Sequence, residues 1–287
     1  MIYLIFSILA SGLIFVIFKL SEKFSIKAFP VLVYNYIVAA IIGFIFTEEH
    51  NPFNGLSGFG IGVSVFLGII FILVFMLIAY SSQKAGMSKT AVASKMSVIV
   101  PIMLAIFHYD EEVTWLKVLG ILLAILGLVL TSYKTERNLE SNRTFILPIF
   151  IFLGAGLVDS TIEFAQREVI NAVNMPSFSI LLFANAAAVG ILLLIFVSKY
   201  RKQLFHWKSI LAGMTLGLVN YGSFYFLVSA LKDKPFDDSI IFGLNNIGVM
   251  LFSLVVGMLL FREHLTTTNK WGVATSISAI AILMISR

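Results

Sequence analysis

Apolar stretches of about 17–25 residues recur from one end of this chain to the other, each long enough to cross a hydrocarbon core of about 30 Å. The spans are residues 2–18, 30–46, 59–80, 90–108, 115–133, 145–165, 176–198, 208–231, 239–261 and 270–286. Backbone polar groups must be paired in lipid, and these stretches do not alternate apolar with polar residues, so they are expected to be helices rather than barrel strands. With 59% hydrophobic and 12% charged residues, the chain is unlike an ordinary soluble domain, where about 25% of residues are charged. No polar stretch is long enough to fold separately, and the absence of cysteine rules out disulfide and thiolate chemistry. The first apolar run has no basic leader and no A-x-A site after it, so it is expected to stay as a helix. Pro30, Pro148 and Pro176 fall near predicted helix starts, where a missing N–H costs little. Pro101 alone lies well inside a span and is expected to bend the fourth helix.

The longest polar connection, "KTERNLESNR" at 134–143, lies between spans five and six and divides the chain nearly in half. The expected organisation is a first five-helix repeat over 1–133, a polar linker over 134–144 and a second repeat over 145–287. "SGLIFVIFKLSEK" (11–23) aligns with "AGLVDSTIEFAQR" (155–167), "LGIIF" (67–71) with "LGLVN" (216–220), and "EEVTWLKVLG" (111–120) with "EHLTTTNKWG" (263–272). The matches keep the same order in both halves. An odd number of helices per repeat makes the second copy enter the membrane inverted, a device of transporters whose binding site lies where the copies meet. The fold class is therefore an all-α integral membrane protein of ten helices in two inverted five-helix repeats.

These segments also carry a family resemblance. "GLIFVIFK" (12–19) resembles the first-helix pattern of EamA-type transporters of the drug/metabolite transporter superfamily. "YGSFYFLVSAL" (221–231) resembles that family's eighth helix, and "LFREHLTTTNKWG" (260–272) its turn between helices nine and ten, with "YDEEVTWLKVLG" as the same turn in the first half. Two positions depart from the pattern: Ser11 stands where the family often has Trp, and Asn35 is the nearest polar residue where its second helix often has Arg. The resemblance implies ten helices in the cell membrane, with the fifth and tenth peripheral and the rest around a central cavity. It also implies export or exchange of small metabolites such as amino acids, without a bound cofactor; a monomer is the expected state of the chain. Lys and Arg in the connections count fourteen on one side and five on the other. That places both termini outside the cytoplasm by the positive-inside rule, whereas the resemblance implies cytoplasmic termini.

The polar residues inside the spans are the candidates for function. Asp159 and Glu163 stand four residues apart on one helical face, with Arg167 four further on. Asp159 is the deeper, and an ionised Asp at a helix centre costs about 2.5–3.5 kcal/mol on insertion scales. It should therefore face a watery cavity or carry a proton, and two readings stand: proton coupling tuned by Glu163, or a water-facing structural carboxylate. Glu163 is equally readable as a surface partner of Arg167, and its repeat equivalent, Lys19, as an interfacial anchor. Lys95, in "AVASKMSVIVP", is either a snorkelling lysine or a cavity cation for a substrate carboxylate. Asn35, Asn220, Tyr221 and Asn245 complete the candidate substrate-binding set, against the alternative that intramembrane amides join helices and tyrosines pack. Tyr34 and Tyr36 point to different faces of the second helix. The candidate partners are a small-molecule substrate and the lipid bilayer. The basic balance signals topology rather than nucleic acid. No H-E-x-x-H, G-x-S-x-G or phosphate-cradling loop is present, and the four histidines lack metal-ligand spacing, so neither an enzyme nor a metal site is expected. A passive channel on the same scaffold is the first alternative function, and a membrane-embedded enzyme or receptor-like subunit the second.

Overall fold

The computed structural model describes residues 1–46, 53, 55–110, 112–132, 141–170, 174–196, 206–233 and 238–285. Its helices are α1 (Ile2–Lys23), α2 (Ala28–Ile45), α3 (Gly58–Lys84), α4 (Met87–Met96), α5 (Ile99–His108), α6 (Trp115–Ser132), α7 (Ser141–Glu168), α8 (Met175–Phe196), α9 (Trp207–Asp233), α10 (Asp238–Phe261) and α11 (Thr267–Ile285). Among the described residues there is no strand. Nine spans are long and apolar enough to cross a membrane, with α4 and α5 counting together as one of them. The shorter apolar helix α6 is the tenth crossing. The linker residues 134–140 lie outside the described residues.

Three boundaries differ from the sequence expectation, each for a local reason. The fourth crossing is broken at Ser97–Val98. Ser97 is four residues before Pro101, which offers no N–H to its carbonyl and crowds it with the ring. The same crossing starts at Met87 rather than at 90. The carboxylate of Glu263 accepts hydrogen bonds from the Met87 and Ser88 N–H groups at 2.6 and 3.1 Å and from Ser88 Oγ at 2.7 Å. A residue of the second repeat thus caps a helix of the first. Pro148 was expected at a helix start, but it lies inside α7 because the helix extends through the polar residues Ser141–Thr144, ahead of its apolar window.

The two halves have the same construction. Helices α3 and α9 are both 27 residues long, displaced by 149 positions at each end. Helix α1 packs against α9 and α10, and its equivalent α7 packs against α3 and the α4–α5 pair. Likewise α2 packs against α9, and α8 against α3. Exchanging the halves converts each pairing into the other, as a two-fold axis in the membrane plane requires. The glycines aligned by sequence show it atom by atom. Gly12 on α1 takes the Phe252 ring against its backbone, and Gly156 on α7 takes Val100; 100 and 252 are themselves equivalent positions. Gly120 meets Leu283, and Gly272 meets Thr131, which is the same contact exchanged. The repeated threonines of the two aligned turns, Thr114 and Thr266, each accept the N–H three residues on, from Lys117 and Asn269.

Helices α6 and α11 pack chiefly on each other. Ala124 and Ala279 are fully buried between them, and Asn269 Nδ2 donates to the Leu130 and Thr131 carbonyls. Elsewhere, large apolar side chains such as Phe150, Leu192 and Leu259 point outward, as a lipid-facing perimeter requires.

Candidate functional site

The helix directions define two faces of the bundle. The terminal face holds the start of α1 and the end of α11; the linker face holds the end of α6 and the start of α7. At the linker face the C-terminal half of α1 is tied to α3. Lys19 Nζ donates to the Gln83 carbonyl at 3.0 Å and pairs with Glu22 at 2.8 Å. Gln83 Nε2 donates to the Phe18 carbonyl at 3.2 Å, Ser82 Oγ to the Phe15 carbonyl at 3.4 Å, and the Phe18 ring stands edge-on to Phe75. Helix α1 also packs on α4 there.

At the terminal face the equivalent helix, α7, has no comparable packing on α9 or α10 among the described residues. Ile78 and Ala79 of α3 are buried, whereas their equivalents Leu227 and Val228 of α9 are only half-buried. Thr90 of α4 is 0% exposed, and its equivalent Phe242 of α10 is 38% exposed. Among the described residues the bundle is tightly packed at the linker face and more loosely packed at the terminal face.

Asp159 of α7 stands where α7 packs on the α4–α5 pair, with its side chain exposed. Ser97, freed from regular helix by the break that Pro101 imposes, puts its Oγ 2.7 Å from Asp159 Oδ2 and 2.6 Å from the Ser94 carbonyl. A hydroxyl has one proton for these two oxygens. Both contacts are satisfied together when Asp159 carries a proton and donates to Ser97 while Ser97 donates to Ser94. With Asp159 ionised, Ser97 must choose. Lys95, two residues before the break, is half-buried, and its ammonium makes no hydrogen bond among the described residues. Asp159 is the charged group acting on it, and Glu163 is a further carboxylate acting on Asp159. Towards the terminal face, Glu163 Oε1 accepts from Arg167 at 2.7 Å, and the Arg167 guanidinium lies 4.2 Å above the Tyr109 ring.

The other sequence candidates fall into separate groups. Asn220 Nδ2 donates to Asn35 Oδ1 at 3.2 Å where α9 crosses α2; Asn35 is fully buried, and its Nδ2 has no partner among the described residues. Asn245, also buried, accepts from Ser7 Oγ at 3.0 Å where α10 meets α1. Tyr221 stacks between Phe46 and Tyr225 at the end of α2. Tyr36 is fully buried and donates to the Phe71 carbonyl at 3.2 Å, whereas Tyr34 is half-buried. The structure thus brings Lys95 and Asp159 to one place and leaves the amides at helix crossings. Three polar residues that were not among the sequence candidates for the site join these groups: Ser97 at the carboxylate, and Ser7 and Ser11, the latter 2.7 Å from Ser223 Oγ, at the α1–α9–α10 junction. The signal for Ser97 was its position four residues before a proline.

Two inverted five-helix repeats with an intramembrane lysine and aspartate where the halves meet form a multi-pass membrane protein of an architecture that transporters use. Residues 1–133 match the model of the EamA-like transporter family. The chain is 26% identical over 291 residues to an uncharacterized protein of Haemophilus influenzae, covering 98% of this chain and 96% of that one. A solved crystal structure, 13% identical, covers all of this chain and 96% of its own with a TM-score of 0.65, a likeness of fold.

Proposed function

We propose that this protein is a secondary carrier of the cell membrane that moves small zwitterionic metabolites such as amino acids, as an exporter or exchanger, by alternating access. The observation that carries the reading is the pairing of Lys95 and Asp159. The two opposite charges are near enough to act on each other, and the lysine makes no hydrogen bond among the described residues. An ammonium and a carboxylate so placed fit the carboxylate and ammonium of a zwitterion, with the desolvation of all four groups offset at once. Tight packing at the linker face supports a carrier over a channel, which needs a continuous path. Asp159 exchanges a proton during the cycle: the Ser94–Ser97–Asp159 chain is complete when it is protonated, and an incoming ammonium takes that proton's place. Glu163, paired with Arg167, sets the pH at which this happens. The chain acts as a monomer and performs no covalent chemistry.

Counterflow in proteoliposomes tests the reading. Labelled amino acids, offered singly against an internal unlabelled excess, should accumulate transiently for at least one class. Asp159→Asn should weaken exchange, because the substrate ammonium loses its carboxylate, and should remove acceleration by a pH gradient. Uptake that only equilibrates, with no overshoot, would point to the channel.

A further inference from the structure

The tight packing at the linker face can be carried through the repeat to name the contacts that must shut the terminal face. The closing residues on α1 are Phe15, Phe18 and Lys19, and on α3 they are Phe75, Ser82 and Gln83. Helices α1 and α7 align through Gly12 and Gly156, whose contacts with Phe252 and Val100 are exchange partners, so Phe18 corresponds to Ile162 and Lys19 to Glu163. Helices α3 and α9 correspond end to end, so Phe75 corresponds to Phe224. Ile162 is half-buried against the main apolar core and Phe224 is half-buried, so neither is covered as fully as Phe18 at the other face.

We propose that the terminal face closes by docking the C-terminal half of α7 onto α9 through Ile162 and Phe224, with Glu163 as the gate residue in the place that Lys19 holds at the other face. This rests on the carrier reading above and assigns its second conformation. The two gates have opposite chemistry at equivalent positions. Lys19 is a donor and closes on a backbone carbonyl of α3, an acceptor that every residue supplies. Glu163 is an acceptor. A helix end offers it no free N–H, because the last backbone groups left unpaired there are carbonyls. In the present state Glu163 is held by Arg167 of its own helix, one turn on. Closing this face therefore starts from an ion pair within α7, whereas opening the linker face breaks the bonds of Lys19 and Gln83.

The chain contains no cysteine, so cysteine pairs can be introduced without a background. In proteoliposomes and without added substrate, Phe18→Cys/Phe75→Cys should cross-link readily with a short bis-thiol reagent, and Ile162→Cys/Phe224→Cys only to a small extent. Adding Lys19→Ala, which loosens the linker face, should lower the first yield and raise the second several-fold. Glu163→Gln should lower the yield of the 162/224 pair. A 162/224 yield unmoved by Lys19→Ala while the 18/75 yield falls would overturn the proposal, as would full cross-linking of both pairs in one molecule. The 18/75 pair doubles as the check on folding. Reciprocal yields without counterflow of any metabolite would retain this closure and reject the carrier; counterflow without reciprocal yields would do the opposite.

Discussion

The same helix crossing is built twice in this molecule, once with charges and once with hydrocarbon. Where α7 crosses the α4–α5 pair, the meeting residues are Asp159, Ser97 and Lys95; where α1 crosses α10, their equivalents are Phe15, Val249 and Ile247. Phe15 is 5% exposed and Val249 fully buried, in one apolar cluster. The glycine that lets the backbones approach is present in both, as Gly156 and Gly12. The hydrocarbon version shows that the crossing needs neither charge nor hydroxyl to pack. The polar groups of the other version are then a departure from what folding requires, at a cost of about 2.5–3.5 kcal/mol for a central carboxylate alone, and a cost of that size points to function.

The sharpest way to break this comparison is to exchange the two versions. Phe15→Asp places a carboxylate in the buried hydrocarbon crossing with no serine or lysine nearby, and should cost about 3–5 kcal/mol, the scale of an uncompensated buried charge. Thermal unfolding in detergent would show it as loss of most folded protein. The reverse exchange, Asp159→Phe with Ser97→Val and Lys95→Ile, should keep membrane abundance and melting temperature near those of the parent while abolishing counterflow. If it instead unfolds the protein, the charges are part of the scaffold. A smaller effect separates the two glycines. An added Cβ at Gly156 meets Val100, which is β-branched and stiff, whereas at Gly12 it meets a Phe252 ring that can swing. Gly156→Ala should destabilise by about 1–3 kcal/mol as overpacking, and Gly12→Ala by visibly less in the same melting assay. Asn35 and Asn220, which join α2 to α9, should show a coupling of about 0.6 kcal/mol in a double-alanine cycle, the average for intramembrane hydrogen bonds; a coupling of zero with lost transport would move them from packing to substrate contact. Smallest is Glu163→Gln. It should change stability by a few tenths of a kcal/mol, the scale of an i,i+4 pair, and appear mainly as a moved pH midpoint of exchange.

The sequence made the scaffold readable because lipid imposes length and apolarity on every crossing, and because the inverted halves repeat the same glycines and threonines at fixed spacing. Gly12, Gly156, Thr114 and Thr266 could be aligned before their contacts were known. The candidate site was legible only in part. Lys95 and Asp159 stand out as charges in apolar runs, but nothing in their spacing says that they approach each other, since the contact joins helices from different repeats. Ser97 resembled any serine in a membrane helix, and its role depends on a break that Pro101 sets four residues later. The amides were legible as polar and not as paired, because a buried Asn that joins helices and one that faces a cavity look alike in one dimension. The start of α4 was misplaced because the carboxylate that caps it lies in the other half of the chain.

That cap also orders the protein in time. Met87 and Ser88 leave the ribosome long before Glu263, and domains assemble as synthesis proceeds. Until the turn after α10 has been made, the first residues of α4 have no carboxylate on which to close, and the start of this helix, with the lysine and serine further along it, lacks its final anchor. Completion of the charged crossing therefore waits for the last quarter of the nascent chain. A chain released before Glu263 should insert most of its helices and still leave the α4 start open to protease, a lesion that supplying the missing C-terminal helices in trans should repair.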